Sequence, residues 1–151
     1  MSTLACFGAA VALVWFGAGP VQSQNPSLKA NFGAVRLSSG FTPDPYKVAV
    51  VSGGATRTDL GGVRTWVSNA PDFKLTYDAG SLPLVIRVDA PGDTTLLVNT
   101  PDGRWVADDD SGGSLNPKVV FNNPQSGRYD IWVGTVTKKN EKGTLVISEV
   151  R

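Results

Sequence analysis

The chain has 151 residues, a formal net charge of +1, no histidine and a single cysteine. That length suits one independently folding domain, and the near-neutral balance offers neither a basic surplus for nucleic acid nor an acidic run for disorder. The lack of histidine removes every mechanism that needs an imidazole as general base or metal ligand.

No charged side chain occurs from Met1 to Leu28, and Leu4 to Val21 is apolar and small. Such a run, followed by Gln22-Ser-Gln24, reads as a secretory signal peptide over residues 1–23, with Val21 and Ser23 at the small-residue positions before cleavage. It lacks the usual Lys or Arg ahead of the apolar core. The competing reading is a retained membrane anchor, but Gly17, Gly19 and Pro20 interrupt a run already short for a span of about 20 residues. Cleavage implies a periplasmic or extracellular protein with no further membrane contact. Cys6 lies inside this segment. Thr3-Leu-Ala-Cys6 precedes the apolar core instead of following it, so it is not a lipoprotein box. The mature chain therefore has no thiol, disulfide or cysteine metal site.

Residues 24–30 are expected to form a flexible leader, and residues 31–151 one domain. Helical periodicity is absent there, and short runs alternate with period two. In chain order the apolar faces are Tyr46/Val48/Val50, Phe73/Leu75/Tyr77, Leu82/Leu84/Ile86/Val88, Leu96/Val98, Val119/Phe121, Tyr129/Ile131/Val133 and Leu145/Ile147. Glycine and proline clusters such as Gly53-Gly54, Gly61-Gly62 and Pro91-Gly92 punctuate them. Asn99-Thr-Pro-Asp-Gly103 predicts a tight hairpin joining strand 94–99 to strand 103–107, with Gly103 in the left-handed region. About eight such strands predict an all-β, antiparallel β-sandwich of jelly-roll type.

The pieces Asn31-Phe-Gly33, Gly40-Phe-Thr-Pro-Asp-Pro45, Asn69-Ala-Pro-Asp72, Asp93-Thr-Thr-Leu96, Pro101-Asp-Gly-Arg-Trp105, Asp108-Asp-Asp110, Asn116-Pro117 and Tyr129-Asp-Ile-Trp-Val-Gly134 occur in a fairly specific order. In them the chain resembles small secreted bacterial domains related to the pre-peptidase C-terminal (PPC) domain, a calcium-tolerant β-sandwich often appended to exported peptidases. The resemblance covers nearly all of the mature chain. It implies an accessory module, and stand-alone relatives are sometimes labelled serine peptidases because they accompany them. Relatives often carry one cysteine just after the Gly61-Gly62 turn and one before the aspartate run. Here Val63 and Ala107 stand at those places, which implies that a whole disulfide has been lost. Its two sites, within a residue or two of Val63, should then be neighbours.

Asp108, Asp109 and Asp110 are the leading candidates for chemistry. Adjacent carboxylates repel, and calcium takes six to eight oxygens from carboxylates, amides and backbone. Asp93 and Asn116 are expected to complete such a site, although the spacing is not that of an EF-hand. The bland alternative is a solvated turn whose aspartates cap backbone amides. A glycosidase needs two carboxylates facing across a cleft. A Ser–Lys dyad would need a buried lysine, yet Lys118, Lys138, Lys139 and Lys142 sit in polar contexts, and no Gly-x-Ser-x-Gly elbow occurs. Trp66, Trp105 and Trp132 would stack on sugar if exposed, and otherwise fill the core. The expectation is a non-catalytic, exported, monomeric module binding a protein or carbohydrate ligand, with calcium as its cofactor. The alternative is a secreted hydrolase of the peptidase class.

Overall fold

The computed structural model describes residues 24–151. The signal segment and Cys6 lie outside them. Eleven strands form two sheets, with no helix among the described residues. They are β1 (Ala34–Ser38), β2 (Tyr46–Ser52), β3 (Thr56–Leu60), β4 (Val63–Val67), β5 (Phe73–Asp78), β6 (Leu84–Asp89), β7 (Thr94–Asn99), β8 (Trp105–Asp108), β9 (Lys118–Phe121), β10 (Gly127–Thr135) and β11 (Glu141–Ser148). The smaller sheet runs β2-β11-β6-β9. In the larger sheet β10 is central, with β7 and then β8 on one side and β5 then β1 on the other, followed at its far end by β4 and β3.

The β-sandwich follows from the alternation. Phe73, Leu75, Tyr77, Leu96, Val98, Tyr129, Ile131 and Val133 of the large sheet meet Val50, Leu84, Ile86, Val88, Val119, Leu145 and Ile147 of the small one in a single buried cluster. Burying each large aliphatic side chain stabilises the fold by about 1.5–3 kcal/mol before entropic costs. All eight strands expected from sequence are present. Leu82 is the exception at a boundary: it lies outside β6 and is exposed. Gly103 adopts φ 80°, and Thr100 N donates to Arg104 O at 2.9 Å to close the predicted hairpin.

Three strands were not legible. β3 and β4 are short and rich in Arg and Thr, so their alternation is masked, and β1 offers only Val35 and Leu37 as an apolar face. β1 also pairs with β5 in parallel, a departure from a wholly antiparallel sandwich. The β3–β4 hairpin lies against the outer face of the large sheet. There Val67, Leu97 and Trp132 form a second buried cluster, flanked by Leu60, Trp105 and Ala107. Gly134 permits this close approach: a Cβ there would fall 2.0 Å from the Thr65 hydroxyl and 2.5 Å from that of Thr95.

The expected flexible leader is instead held in place. Asn25 N donates to Asn69 O (2.8 Å), and Lys74 Nζ donates to Pro26 O (2.8 Å). Gln24 and Ala30 are buried. Lys74 also sits 3.7 Å from the buried Asp130, which pairs with Arg128 at 3.0 Å. The polar leader docks because the Pro26 carbonyl satisfies a half-buried ammonium, an interaction that composition does not reveal.

Asp72 joins these parts. β10 pairs with β5 only up to Ile131 and reaches β4 only at Thr135. In that gap Asp72 Oδ2 accepts the Val133 N–H (2.7 Å), Asp72 N donates to Ile131 O (2.7 Å), and Gly53 N donates to Val133 O (2.9 Å). The other carboxylate oxygen accepts from Asn31 at 2.9 Å. Burial, opposed by these hydrogen bonds, raises the Asp72 pKa from 3.8 to about 6. The folded state therefore favours the protonated form, so the stability contributed by Asp72 is full below pH 3.8 and is lost as the pH rises through about 6. Asp72→Asn offers a single acceptor to two donors and should cost about 1–3 kcal/mol. The melting-temperature advantage of the wild type over this variant should shrink between about pH 4.5 and about pH 7. An advantage that grows over that range would contradict the assignment.

Candidate metal centre

The acidic loop spans the edge of the sandwich, leaving the large sheet at β8 and entering the small one at β9. β7 and β8 are antiparallel with Leu96 opposite Asp108. Extending that register by two residues sets Asp110 level with Thr94, immediately beside Asp93. The geometry follows: oxygens of Asp93, Asp109 and Asp110 all lie within 4.8 Å of one another. Two ligands on opposite sides of one calcium ion are about 5 Å apart, so all three can reach a common ion.

Loop conformation holds this arrangement. Ser114 and Leu115 have φ 54° and 61°, a left-handed pair that turns the chain between Gly113 and Asn116. Asn116 then clamps the loop to the β6–β7 connection. Its Oδ1 accepts from Thr94 Oγ1 (2.8 Å) and Ala90 N (3.2 Å), while its Nδ2 donates to Ala90 O (2.9 Å) and Ser114 O (3.2 Å). Leu115 O accepts from Thr94 N at 3.1 Å. Asp93 is thereby carried to Asp109 and Asp110.

The five residues expected around one ion thus divide. Asp93, Asp109 and Asp110 converge. Asp108 turns away, its oxygens taken by Ser111 Oγ (2.6 Å), Ser111 N (3.0 Å) and Lys118 N (2.9 Å). It is the capping aspartate that the bland reading anticipated. Asn116 is a clamp whose amide oxygen is already used twice, because it lies 8% exposed beneath the loop instead of at its rim.

The convergent trio is electrostatically unsatisfied. Asp93 Oδ1 and Asp109 Oδ1 are buried atoms without a hydrogen-bond partner. Burial raises the Asp93 pKa, and the neighbouring Asp110 raises it further. For Asp109 burial acts first, followed by Asp110, Asp93 and Asp108. Each shift marks a carboxylate whose ionisation a nearby cation would favour.

Trp132 is fully buried, tilted against Trp105 at 5.0 Å and donating to Asn69 O at 3.4 Å. It fills the second cluster and is unavailable to a sugar. Trp66 lies beneath Lys138 (4.9 Å) and near Arg57 (6.0 Å). Gly61, two residues before Val63, abuts Ala107, and a Cβ there would be 2.7 Å from the Ala107 Cβ. Sequence reasoning overlooked Asp72 and the clamp role of Asn116. Asn69-Ala-Pro-Asp72 and Asn116-Pro117 were visible as motifs, but nothing local marks which backbone groups they satisfy. Comparison with protein-family models and with curated proteins yields no match.

Two substitutions separate clamp from ligand. Asn116→Ala strands buried partners and should destabilise the protein by about 1–3 kcal/mol with or without calcium. Asp110→Asn relieves repulsion and should leave the calcium-free protein as stable as wild type or more so, while removing any calcium-dependent gain. Thermal melts with calcium and with chelator check both. Equal destabilisation by the two variants would contradict the division of roles.

Proposed function

We propose that this chain is a non-catalytic, exported accessory module whose acidic loop takes a calcium ion. The observation that carries the reading is the convergence of Asp93, Asp109 and Asp110 with two buried carboxylate oxygens left without partners. Calcium fits because the donors are hard oxygens on a loop, open to water on the side of the exposed Asp110. The ion would neutralise the trio and tie the β7 and β8 ends together, bracing the connection between the sheets. The PPC-like resemblance supports export to the periplasm or outside the cell and association with exported enzymes. The competing peptidase reading would need a base near a serine. The half-buried Lys74 is engaged instead with Pro26 O and Asp130.

Calcium at 100 times its dissociation constant should add about 2.7 kcal/mol to stability, read as a rise in melting temperature. Magnesium, which sheds its waters reluctantly, should add less. Because ligands must be ionised, the calcium-dependent rise should diminish as the pH falls through the raised pKa values of Asp93 and Asp109. Melting that is indifferent to calcium and chelator at neutral pH would exclude the site. Peptide cleavage by purified protein that persists in chelator would replace the reading with the hydrolase one.

A further inference from the structure

The outer face of the small sheet carries an unusual transverse row. The registers place Lys47 opposite Val146, Val146 opposite Arg87, and Arg87 opposite Lys118. Lys47, Val146, Arg87 and Lys118 therefore lie side by side across β2, β11, β6 and β9, all pointing away from the core. Like charges directly opposite each other on neighbouring strands are destabilising, and Arg87 and Lys118 are such a pair. Arg87 is relieved in part by Asp89 along its own strand. Lys47 and Lys118 form no ion pair among the described residues.

The row borders a cavity of about 390 Å³ whose lining includes the cations Arg87, Lys118 and Arg151 and the aliphatic Val85, Val146 and Val150. No acidic side chain lines it, and no aromatic ring is there to stack on a sugar or a base. Its floor is aliphatic, with Val85 and Val146 buried and Val150 exposed beside them. Lys47, Arg87 and Lys118 thus flank a covered aliphatic floor at Val146, and the exposed apolar contact at the cavity is Val150.

We propose that this face binds an extended acidic segment of a partner protein, of the pattern acidic–x–aliphatic–x–acidic. Neighbouring strands are about 4.8 Å apart, so the row spans roughly 14 Å from Lys47 to Lys118. A five-residue extended segment spans about 13 Å between its first and last side chains, and residues one, three and five share one face. Its first carboxylate meets Lys47, its central aliphatic side chain enters the cavity beside the exposed Val150, and its last carboxylate lies between Arg87 and Lys118. The second carboxylate replaces the repulsion between those two cations with attraction to both. This assignment names the partner chemistry of the binding-module reading and rests on it, but it uses none of the convergent aspartates.

The test uses a labelled, end-blocked pentapeptide Glu-Ser-Val-Ser-Glu and residues 24–151, titrated by fluorescence anisotropy in calcium and in chelator. Binding should weaken with added salt. It should fall about tenfold or more with Lys47→Gln or Lys118→Gln, both surface changes expected to leave melting unaltered. Replacing the peptide's valine by serine, or its glutamates by glutamine, should weaken binding likewise. Equal binding of all these peptides, or full binding by the Lys47→Gln/Lys118→Gln double variant, would overturn the proposal. So would tighter binding of a DNA oligomer or a heparin fragment, which would make the face a polyanion site. Cleavage of the peptide, followed by mass spectrometry, would instead overturn the binding-module reading. The calcium-dependent melting shift is scored separately, so loss of peptide binding with that shift intact would strike out only this face.

Discussion

A side chain takes the place of a strand at the centre of this molecule. β10 is the spine of the large sheet, but its pairing with β5 ends before its pairing with β4 begins. An unpaired N–H at Val133 would be a buried donor without a partner, a cost comparable to a lost hydrogen bond. The carboxylate of Asp72 accepts it at 2.7 Å. Its second oxygen reaches Asn31, so the same group anchors the segment leading into β1. β10, the β4–β5 connection through Ser68 and the N-terminal segment through Asn31 and Phe32 all bond to this one buried acid. Its raised pKa follows from that position: a charge taken out of water is only partly compensated by the hydrogen bonds it receives.

The same logic, in which a buried polar side chain replaces regular backbone pairing, recurs at the edge of the sandwich. Asn116 uses four hydrogen bonds to fasten a left-handed turn to the β6–β7 connection. The turn places two non-glycine residues in the left-handed region, a conformation that persists only where its surroundings over-determine it. Its effect is to gather three carboxylates from two connections into one concentration of negative charge. Stability spent on that turn is compensated if a cation occupies the trio, and this links the strained backbone to the proposed calcium site. A further buried carboxylate, Glu149, accepts from the Tyr77 hydroxyl at 2.5 Å and from Gly40 N at 2.7 Å, and so holds the loop before β2 against the end of β11.

The two functional surfaces proposed are physically separate but share the 108–118 segment. The acidic trio lies at the sheet-to-sheet connection, and the basic row lies on the outer face of the small sheet. Lys118 belongs to both regions, since its backbone N–H is held by Asp108 at 2.9 Å while its side chain borders the cavity. A cation bound at Asp93, Asp109 and Asp110 would both rigidify this segment and remove negative charge near the face that is to receive an acidic partner. Calcium and peptide would then favour one another through a shared, ordered loop.

Sequence by itself determined the class of fold and most of its strands. Period-two alternation is a direct image of the pleat, and seven apolar faces imply two sheets closed on one core. It also determined the hairpin at Pro101-Asp-Gly103, because the turn type demands a left-handed residue where glycine stands. It nominated the acidic loop, since three consecutive carboxylates are conspicuous in any setting. The tertiary structure alone decided which of those carboxylates converge. Asp108 and its neighbours are indistinguishable in sequence, but the β7–β8 register and the Asn116 clamp send Asp108 to backbone amides and bring distant Asp93 to Asp109 and Asp110. It likewise decided the short strands β1, β3 and β4, the docking of residues 24–30 and the cation row across four strands. Each of these arises from pairings between residues far apart in the chain, and local composition carries no record of strand register.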